Sequence, residues 1–352
     1  MGNTIASLLA VDVGGGTQDI LLWQAQQELE NSVKLVLPSP TQVVAARLHQ
    51  LRKEKRPVFL HGWLMGGGAI TTAVKEHLNE GLAVYASPSA ALSLADDLAR
   101  VRSLGVQITE QAPDDAGCLL TTDLDLNAIK LMLSAFALDL PGQLAVAVCD
   151  HGYSPGESNR LFRFRMWEDF LAAGGFLSDL LWGQPPSHLT RMQAILEQAP
   201  GTLLMDTAAA ALWGALEDSQ AAAWQEQGLC LVNIGNMHTV AFLLQGQQVW
   251  AVFEHHTSCL STAELGQQIE RFRHHQLDQD EVFANWGHGC IYRDGLPESD
   301  WPIILTGPRR VLAKGLDWPV ANPHGDVMLA GCFGLTAAVL ARQGEKLQKN
   351  AD

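Results

Sequence analysis

The 352 residues carry 38 acidic against 23 basic side chains, a formal net charge of −15, so the protein's own field opposes polyanions and nucleic acid is excluded as an expected partner. Hydrophobic residues make up 47% of the chain and charged residues 17%, which excludes disordered and fibrous classes. At this length two domains of ordinary size are expected, each with its own core.

Asp12 interrupts the first apolar run, and nowhere do eighteen apolar residues follow one another. Neither a secretory leader nor a membrane span is expected, and the expected location is the cytoplasm. Cys118, Cys149, Cys230, Cys259, Cys290 and Cys332 form no CxxC pair, so reduced thiols are expected rather than a disulfide framework.

Leu8 to Val13 and Ile20 to Trp23 read as short strands joined by GGGTQD, with Val33 to Leu37 as a third. Thr41 to Lys55 has helical spacing, Pro57 to Leu64 reads as a buried strand, and MGGGAI introduces a helix from about Thr71 to Asn79. A strand at Leu82 to Ala86, an amphipathic helix at Ser89 to Ser103 and a strand at Leu144 to Cys149 continue an α/β alternation. From Asp150 to about Pro200 the pattern is irregular, with FRFRMW reading as extended, and this stretch is expected to elaborate the first lobe. Arg160, Arg163 and Arg165 read there either as a solvated strand face or as a spot that holds one phosphate or carboxylate.

A second series begins with a strand at Leu203 to Met205 and the alanine-rich helix Thr207 to Glu217. A long hairpin follows through Leu229 to Asn233, Val240 to Leu244 and Val249 to Phe253. LLAVDVGGGTQDILLW and LCLVNIGNMHTVAFLL share one order: apolar strand, polar residue, glycine turn, threonine, apolar strand. Such a duplication implies two related lobes, 1–205 and 206–352.

In the first of these turns Asp12 ends a strand, and Gly14, Gly15 and Gly16 let backbone N–H groups approach a phosphate. Thr17 adds a hydroxyl and Gln18 follows it, while Asp12 stands where Mg²⁺ or an attacking water belongs. The same glycines equally suit a plain tight hairpin. The turn lacks the Lys-Ser/Thr ending of a P-loop and the spacing of a dinucleotide fingerprint.

Four segments carry a resemblance to known proteins. The first is LLAVDVGGGTQDILLW. LLMDTAAAALWGALED followed by LCLVNIGNMHTVAFLL resembles the acidic residue, alanine-rich helix and second phosphate hairpin of actin and the heat-shock chaperone ATPases. WPIILTGPRRVLAKGL resembles their adenosine segment, and NPHGDVMLAGCFGLTAAVLA their closing helix. In order and extent the chain therefore resembles the actin, sugar-kinase and heat-shock-chaperone ATPase superfamily.

That resemblance implies an α/β fold of two ribonuclease H-like lobes with ATP and Mg²⁺ in the cleft between them. It implies phosphates between Gly14 to Thr17 and the Gly235, Asn236, His238 and Thr239 turn, with Gly307 and Pro308 near a base or ribose. Asp12 and Asp206 would hold the metal and orient a water or hydroxyl. Two departures stand against it: Asn233 replaces the usual acid, with Asn236, Met237 and His238 crowding the second turn, and Pro308-Arg309-Arg310 occupies the adenosine turn.

DVGGGTQDILL, VLPSPT, DHG with NRLFRF, GNMHTVAFLL, EHHT and GHGC also resemble a prokaryotic family labelled as pyruvate formate-lyase activating enzymes. The label implies an iron–sulfur cluster on closely spaced cysteines, and no CxxxCxxC occurs, so no cluster is expected.

Asp150 and His151, with Asn159 and Arg160, either receive a substrate or form a capped turn. Glu254, His255 and His256 with Cys259, and His288 with Cys290, are candidates to contact substrate, to ligate a transition metal or to satisfy buried polar groups. Three readings follow. One is an ATP-dependent small-molecule kinase or ATPase that closes on a small or phosphorylated ligand. The others are a non-catalytic sensor or assembly protein with a degenerate ATP site, and a histidine-dependent metal hydrolase.

Overall fold

The computed structural model describes residues 5–349, so the outermost residues of both expected lobes lie outside it. Alternating apolar side chains build β1 (Ser7–Val13) and β2 (Thr17–Gln24) as an antiparallel hairpin, and β3 (Val33–Pro38) adds to β2. The alternation feeds two cores: Leu8, Ala10 and Leu21 face the layer between the lobes, whereas Leu9, Val11 and Ile20 face outward into a second cluster.

The chain then leaves this sheet. After α1 (Pro40–Lys53) come β4 (Val58–Gly62), α2 (Ala69–Asn79), β5 (Val84–Ala86), α3 (Pro88–Ala91), α4 (Leu98–Ser103), β6 (Gln107–Ile108) and β7 (Gly117–Thr121). Their strands form a separate parallel sheet, β6-β5-β4-β7, over its own core around Leu48, Ile70 and Val74. The expected helix at Ser89 to Ser103 is broken into α3 and α4. Ser93 Oγ is drawn out of the helix to accept the Met65 N–H at 3.0 Å, and Asp97 starts α4 afresh by accepting the Ala99 N–H.

After α5 (Leu126–Ser134) the chain returns with β8 (Leu144–Val148), parallel to β1, and then α6 (Asn159–Ala172), α7 (Thr190–Gln198) and β9 (Leu203–Met205). The extended reading of FRFRMW is corrected, because the segment lies in α6. Phe164, Trp167 and Leu171 recur at helical spacing and enter the interlobe core, and that burial outweighs the short Phe/Arg alternation.

The chain continues with α8 (Thr207–Ala215), α9 (Ser219–Gln225), β10 (Leu229–Ile234), β11 (His238–Gln245), β12 (Gln248–His256), α10 (Thr262–Arg273), α11 (Gln279–Ala284), β13 (Gly289–Tyr292), β14 (Ile303–Thr306) and α12 (Ala330–Lys349), the last packing back onto α8, β1, β2 and β8. The sheets read β3-β2-β1-β8-β9 and β13-β12-β11-β10-β14. In each, three antiparallel strands are flanked by a strand parallel to the first, and β9 then extends the first sheet in parallel while β13 extends the second antiparallel, so the duplication in the sequence is a duplication of a four-stranded ribonuclease H-like unit.

Helices α8 and α12 cross between the sheets on glycine. A Cβ at Gly334 would lie 1.9 Å from the Ala210 carbonyl oxygen, and one at Gly214 would lie 1.7 Å from that of Ala330. Only glycine permits this approach. The window Val327–Gly344 is long and apolar enough to cross a membrane, and 56% of it is buried inside the protein, the burial of a core helix.

Candidate functional site

The β1–β2 and β10–β11 turns are built alike. Gly14 N–H donates to the Thr17 carbonyl at 2.9 Å, and Gly235 N–H donates to the His238 carbonyl at the same distance. They meet across the lobes: a Cβ at Gly15 would lie 2.6 Å from Met237 Cγ, and one at Gly16 would lie 2.6 Å from Asn236 Nδ2. Met237 and Asn236 therefore fill the gap between the turns.

A cleft of about 1210 Å³ opens beside this contact. Its wall includes Asp12, Gly14, Gly15 and Thr17 from the first lobe and Gly235, Asn236, His238, Gly307 and Pro308 from the second. Gly307 has φ +103°, and a Cβ there would lie 2.6 Å from Asn233 Oδ1, so this turn also needs glycine. Gly16, Gln18 and Thr239 stand behind the wall. Gln18 is buried, and the Thr239 hydroxyl bonds that of Thr257, which donates to the Gly235 carbonyl and braces the second turn.

Asp12 lies directly across the hairpin from Asp19. Burial, then Asp19 and Asp206, push the Asp12 carboxyl well above the usual range. Burial also pushes Asp19 up to about 7, the Thr17 hydroxyl opposing and Asp326 adding to the rise. Asp12 Oδ1 and Asp19 Oδ1 are buried without hydrogen-bond partners. Gly331 of α12 permits the crowding, since a Cβ there would lie 1.9 Å from Asp12 Oδ2.

Asp206 is engaged elsewhere. It caps α8 through the Ala208 N–H and takes a two-point contact from Arg163, at 2.9 Å and 3.1 Å. Of the two readings of these arginines, Arg163 takes the one that holds a carboxylate, whereas Arg165 is half exposed. Arg163 is 3% exposed, and its Nε donates to Glu254 Oε2 at 2.6 Å. It thereby joins α6, the start of α8 and β12.

The second oxygen of Glu254 points into a group of histidines. Glu254 Oε1 lies 3.8 Å from His238 Nδ1 and 3.8 Å from His288 Nδ1. Ligand atoms of His151, His238, Glu254 and His288 all lie within 4.8 Å of one another, and this is the one such group of three or more His, Cys, Asp or Glu among the described residues. Burial raises the Glu254 carboxyl, but Arg163 and the histidines outweigh it and hold the group well below the usual range. Burial, aided by Arg163, lowers His151 to about 4, and burial lowers His288 to about 2, so both imidazoles are neutral at pH 7. Cys149 Sγ sits 3.8 Å from His238 Nδ1 and 4.0 Å from His151 Nδ1.

Strand alternation explains which candidates join this group. Glu254 and His256 share one face of β12, and the His256 ring lies 4.8 Å from that of His288. His255 faces the other way, fully buried, with Nδ1 against the His256 carbonyl. Cys259 is exposed, and Cys290 is buried against the Leu277 carbonyl, so neither is a ligand here. Asp150 organises a turn by accepting from the N–H groups of Gly152, Arg191 and Met192. Asn159 donates to Asp96, and Arg160 is tied to the Gly287 carbonyl while stacking on Phe283, off the cleft. Cys149, and Arg191 with its partner Asp123, complete the site without having been singled out in the sequence, because their partners lie in distant segments, whereas Asp19 was passed over although it faces Asp12 across the same hairpin.

The family described as "Putative pyruvate format-lyase activating enzyme (DUF1786)" matches residues 65–312, well over half of the chain. The chain belongs to this family. The family description names an activase, a chemistry that needs a cluster on neighbouring cysteines. In this member Cys118 and Cys259 are exposed, Cys332 lies in one core, Cys230 and Cys290 in another, and Cys149 beside the histidines. These cysteines do not fit such a cluster. No curated protein matches the chain.

Solved structures similar to this family member include the ethanolamine utilization protein EutJ from Carboxydothermus hydrogenoformans, with 10% identity and a TM-score of 0.33 over 96% of this chain and 90% of that one. A Bacteroides thetaiotaomicron protein with actin-like ATPase fold and unknown function has 8% identity and a TM-score of 0.40 over 94% and 96%. The activator of the 2-hydroxyisocaproyl-CoA dehydratase from Clostridium difficile with bound ADPNP has 8% identity and a TM-score of 0.35 over 97% of both chains. At such scores these likenesses add nothing to the strand order, on which the two-lobed actin-like assignment stands.

Proposed function

We propose that the protein binds ATP with Mg²⁺ between its lobes and acts as an ATPase or a small-molecule phosphotransferase. The observation that carries this reading is the pair of like-built glycine turns meeting over the buried, unpartnered Oδ1 of Asp12. The free oxygens of Asp12 and Asp19 are hard donors that fit Mg²⁺, whereas Asp206 is occupied by Arg163. Bound Mg²⁺ would supply charge neutralisation at the transferring phosphate. The N–H groups of the two turns would donate to phosphate oxygens. Asp12 would then orient the attacking water or hydroxyl, and Lys75 and Arg100 on the cleft wall favour a small anionic ligand.

A second reading is a sensor in which the ligand sets the lobe angle. The packing of Met237 on Gly15 favours it, because a phosphate that enters between the turns must displace a contact that joins the lobes. Binding and hydrolysis of ATP measured separately on wild type and Asp12→Asn decide between the two. The enzyme reading expects wild-type turnover and its loss in a folded Asp12→Asn protein. Binding without wild-type turnover gives the sensor, and no wild-type binding overturns both.

A further inference from the structure

Beside the acidic pair, and independent of the nucleotide reading, lies a donor set of a different chemical kind. We propose that His151, His238, His288 and Glu254 form a four-ligand site for a divalent transition metal, with zinc as the ion that suits them, and that this ion clips the two lobes together.

The donors are three imidazole nitrogens and one carboxylate oxygen, all within 4.8 Å of one another. Imidazole-rich sets favour zinc and its neighbours over Mg²⁺ or Ca²⁺, which take oxygen. Zinc–nitrogen bonds of about 2.0–2.1 Å place tetrahedral ligands about 3.3 Å apart, so the side chains need close by no more than about 1.5 Å. His288 is 1% exposed and Glu254 0%, yet both ring nitrogens of His288 and Oε1 of Glu254 have no hydrogen-bond partner. Orphaned polar atoms of this kind are costly, and a metal ion satisfies them together.

The surroundings fit the same role. Arg163 holds Glu254 Oε2 and so aims Oε1 at the histidines, an outer contact that orients a ligand. His151 follows β8 of the first lobe, whereas His238, Glu254 and His288 belong to the second. Four protein ligands make a closed site, suited to holding structure rather than to activating water. His238 also ends the turn that carries Met237, so an ion here fixes that turn.

The test uses the full chain, stripped with a chelator and free of nucleotide. Zn²⁺ is titrated by calorimetry, and Co²⁺ by its visible ligand-field bands, in wild type, His151→Ala, His288→Gln and, as control, Cys259→Ser; circular dichroism checks the fold. The expected result is a single zinc per wild-type chain, tetrahedral cobalt bands, and affinity lower by about 100-fold or more in both histidine variants with the control unchanged. If either histidine variant unfolds, the other carries the test. Failure of the folded wild type to take up zinc stoichiometrically, or undiminished uptake in a folded histidine variant, overturns the site. Because no nucleotide is present, zinc uptake is read separately from ATP binding.

Discussion

Replacing Arg163 by methionine tests the buried ion network that joins the lobes. Arg163 is 3% exposed, Glu254 0% and Asp206 13%, with contacts of 2.6 Å to Glu254 and 2.9 Å to Asp206. Methionine fills similar volume but leaves the carboxylates of Asp206 and Glu254 without their counter-charge. Removing one partner of a buried pair costs about 3–5 kcal/mol, a large fraction of a typical domain's stability. Urea denaturation in the presence of a chelator should therefore give an Arg163→Met protein destabilised by about 3–5 kcal/mol. Adding Asp206→Asn and Glu254→Gln to that variant should recover most of the loss, since the stranded charges are then gone. A single-variant cost below about 1 kcal/mol, the range of exposed pairs, would refute the account of Arg163 as a buried hub.

Asp19 gives a pH prediction. Its folded-state value of about 7 lies above the ordinary 3.8, so the stability it contributes is fully present below pH 3.8 and is lost as pH rises through 7. The whole effect is on the order of 4 kcal/mol, and Asp19→Asn should be more stable than wild type at pH 8 in chelator but not at pH 4. Equal pH profiles for the two proteins would contradict this. Gly334→Ala should destabilise by at least about 2 kcal/mol despite the better helix propensity of alanine, because its Cβ would meet backbone atoms of α8 at 1.9 Å and 2.5 Å; a neutral result in thermal melts would be inconsistent with the glycine crossing. Met237→Ala should tighten binding of ATP by roughly 5-fold, about 1 kcal/mol, by clearing the space over Gly15, with little change in stability since Met237 is 53% exposed. Weaker binding in calorimetry would count against a phosphate position between the turns.

The hairpins were legible because their strands have period-two apolar patterns and their turns repeat one chemistry; Leu8 to Val13 and Leu229 to Asn233 lie within β1 and β10. The strands at Pro57 to Leu64 and Leu82 to Ala86 were legible, but not as part of a separate sheet, because strand pairing depends on partners that local pattern does not encode. FRFRMW misled because Arg163 is buried by pairing with Asp206 and Glu254, which lie 43 and 91 residues away. His151, His238, Glu254 and His288 were each noticed, but under three different roles. Their convergence follows from β8 and β11 to β13 meeting at the lobe boundary, not from any spacing.

A crystal structure with a non-hydrolysable ATP analogue and Mg²⁺ tests the interlobe phosphate site most directly. The account predicts phosphate oxygens within hydrogen-bond distance of the N–H groups of Gly15 and Gly16 in the first turn and Asn236 and Met237 in the second, the cation on Asp12 and Asp19, and Met237 moved off Gly15. An analogue bound elsewhere, with Met237 still packed on Gly15, would contradict it.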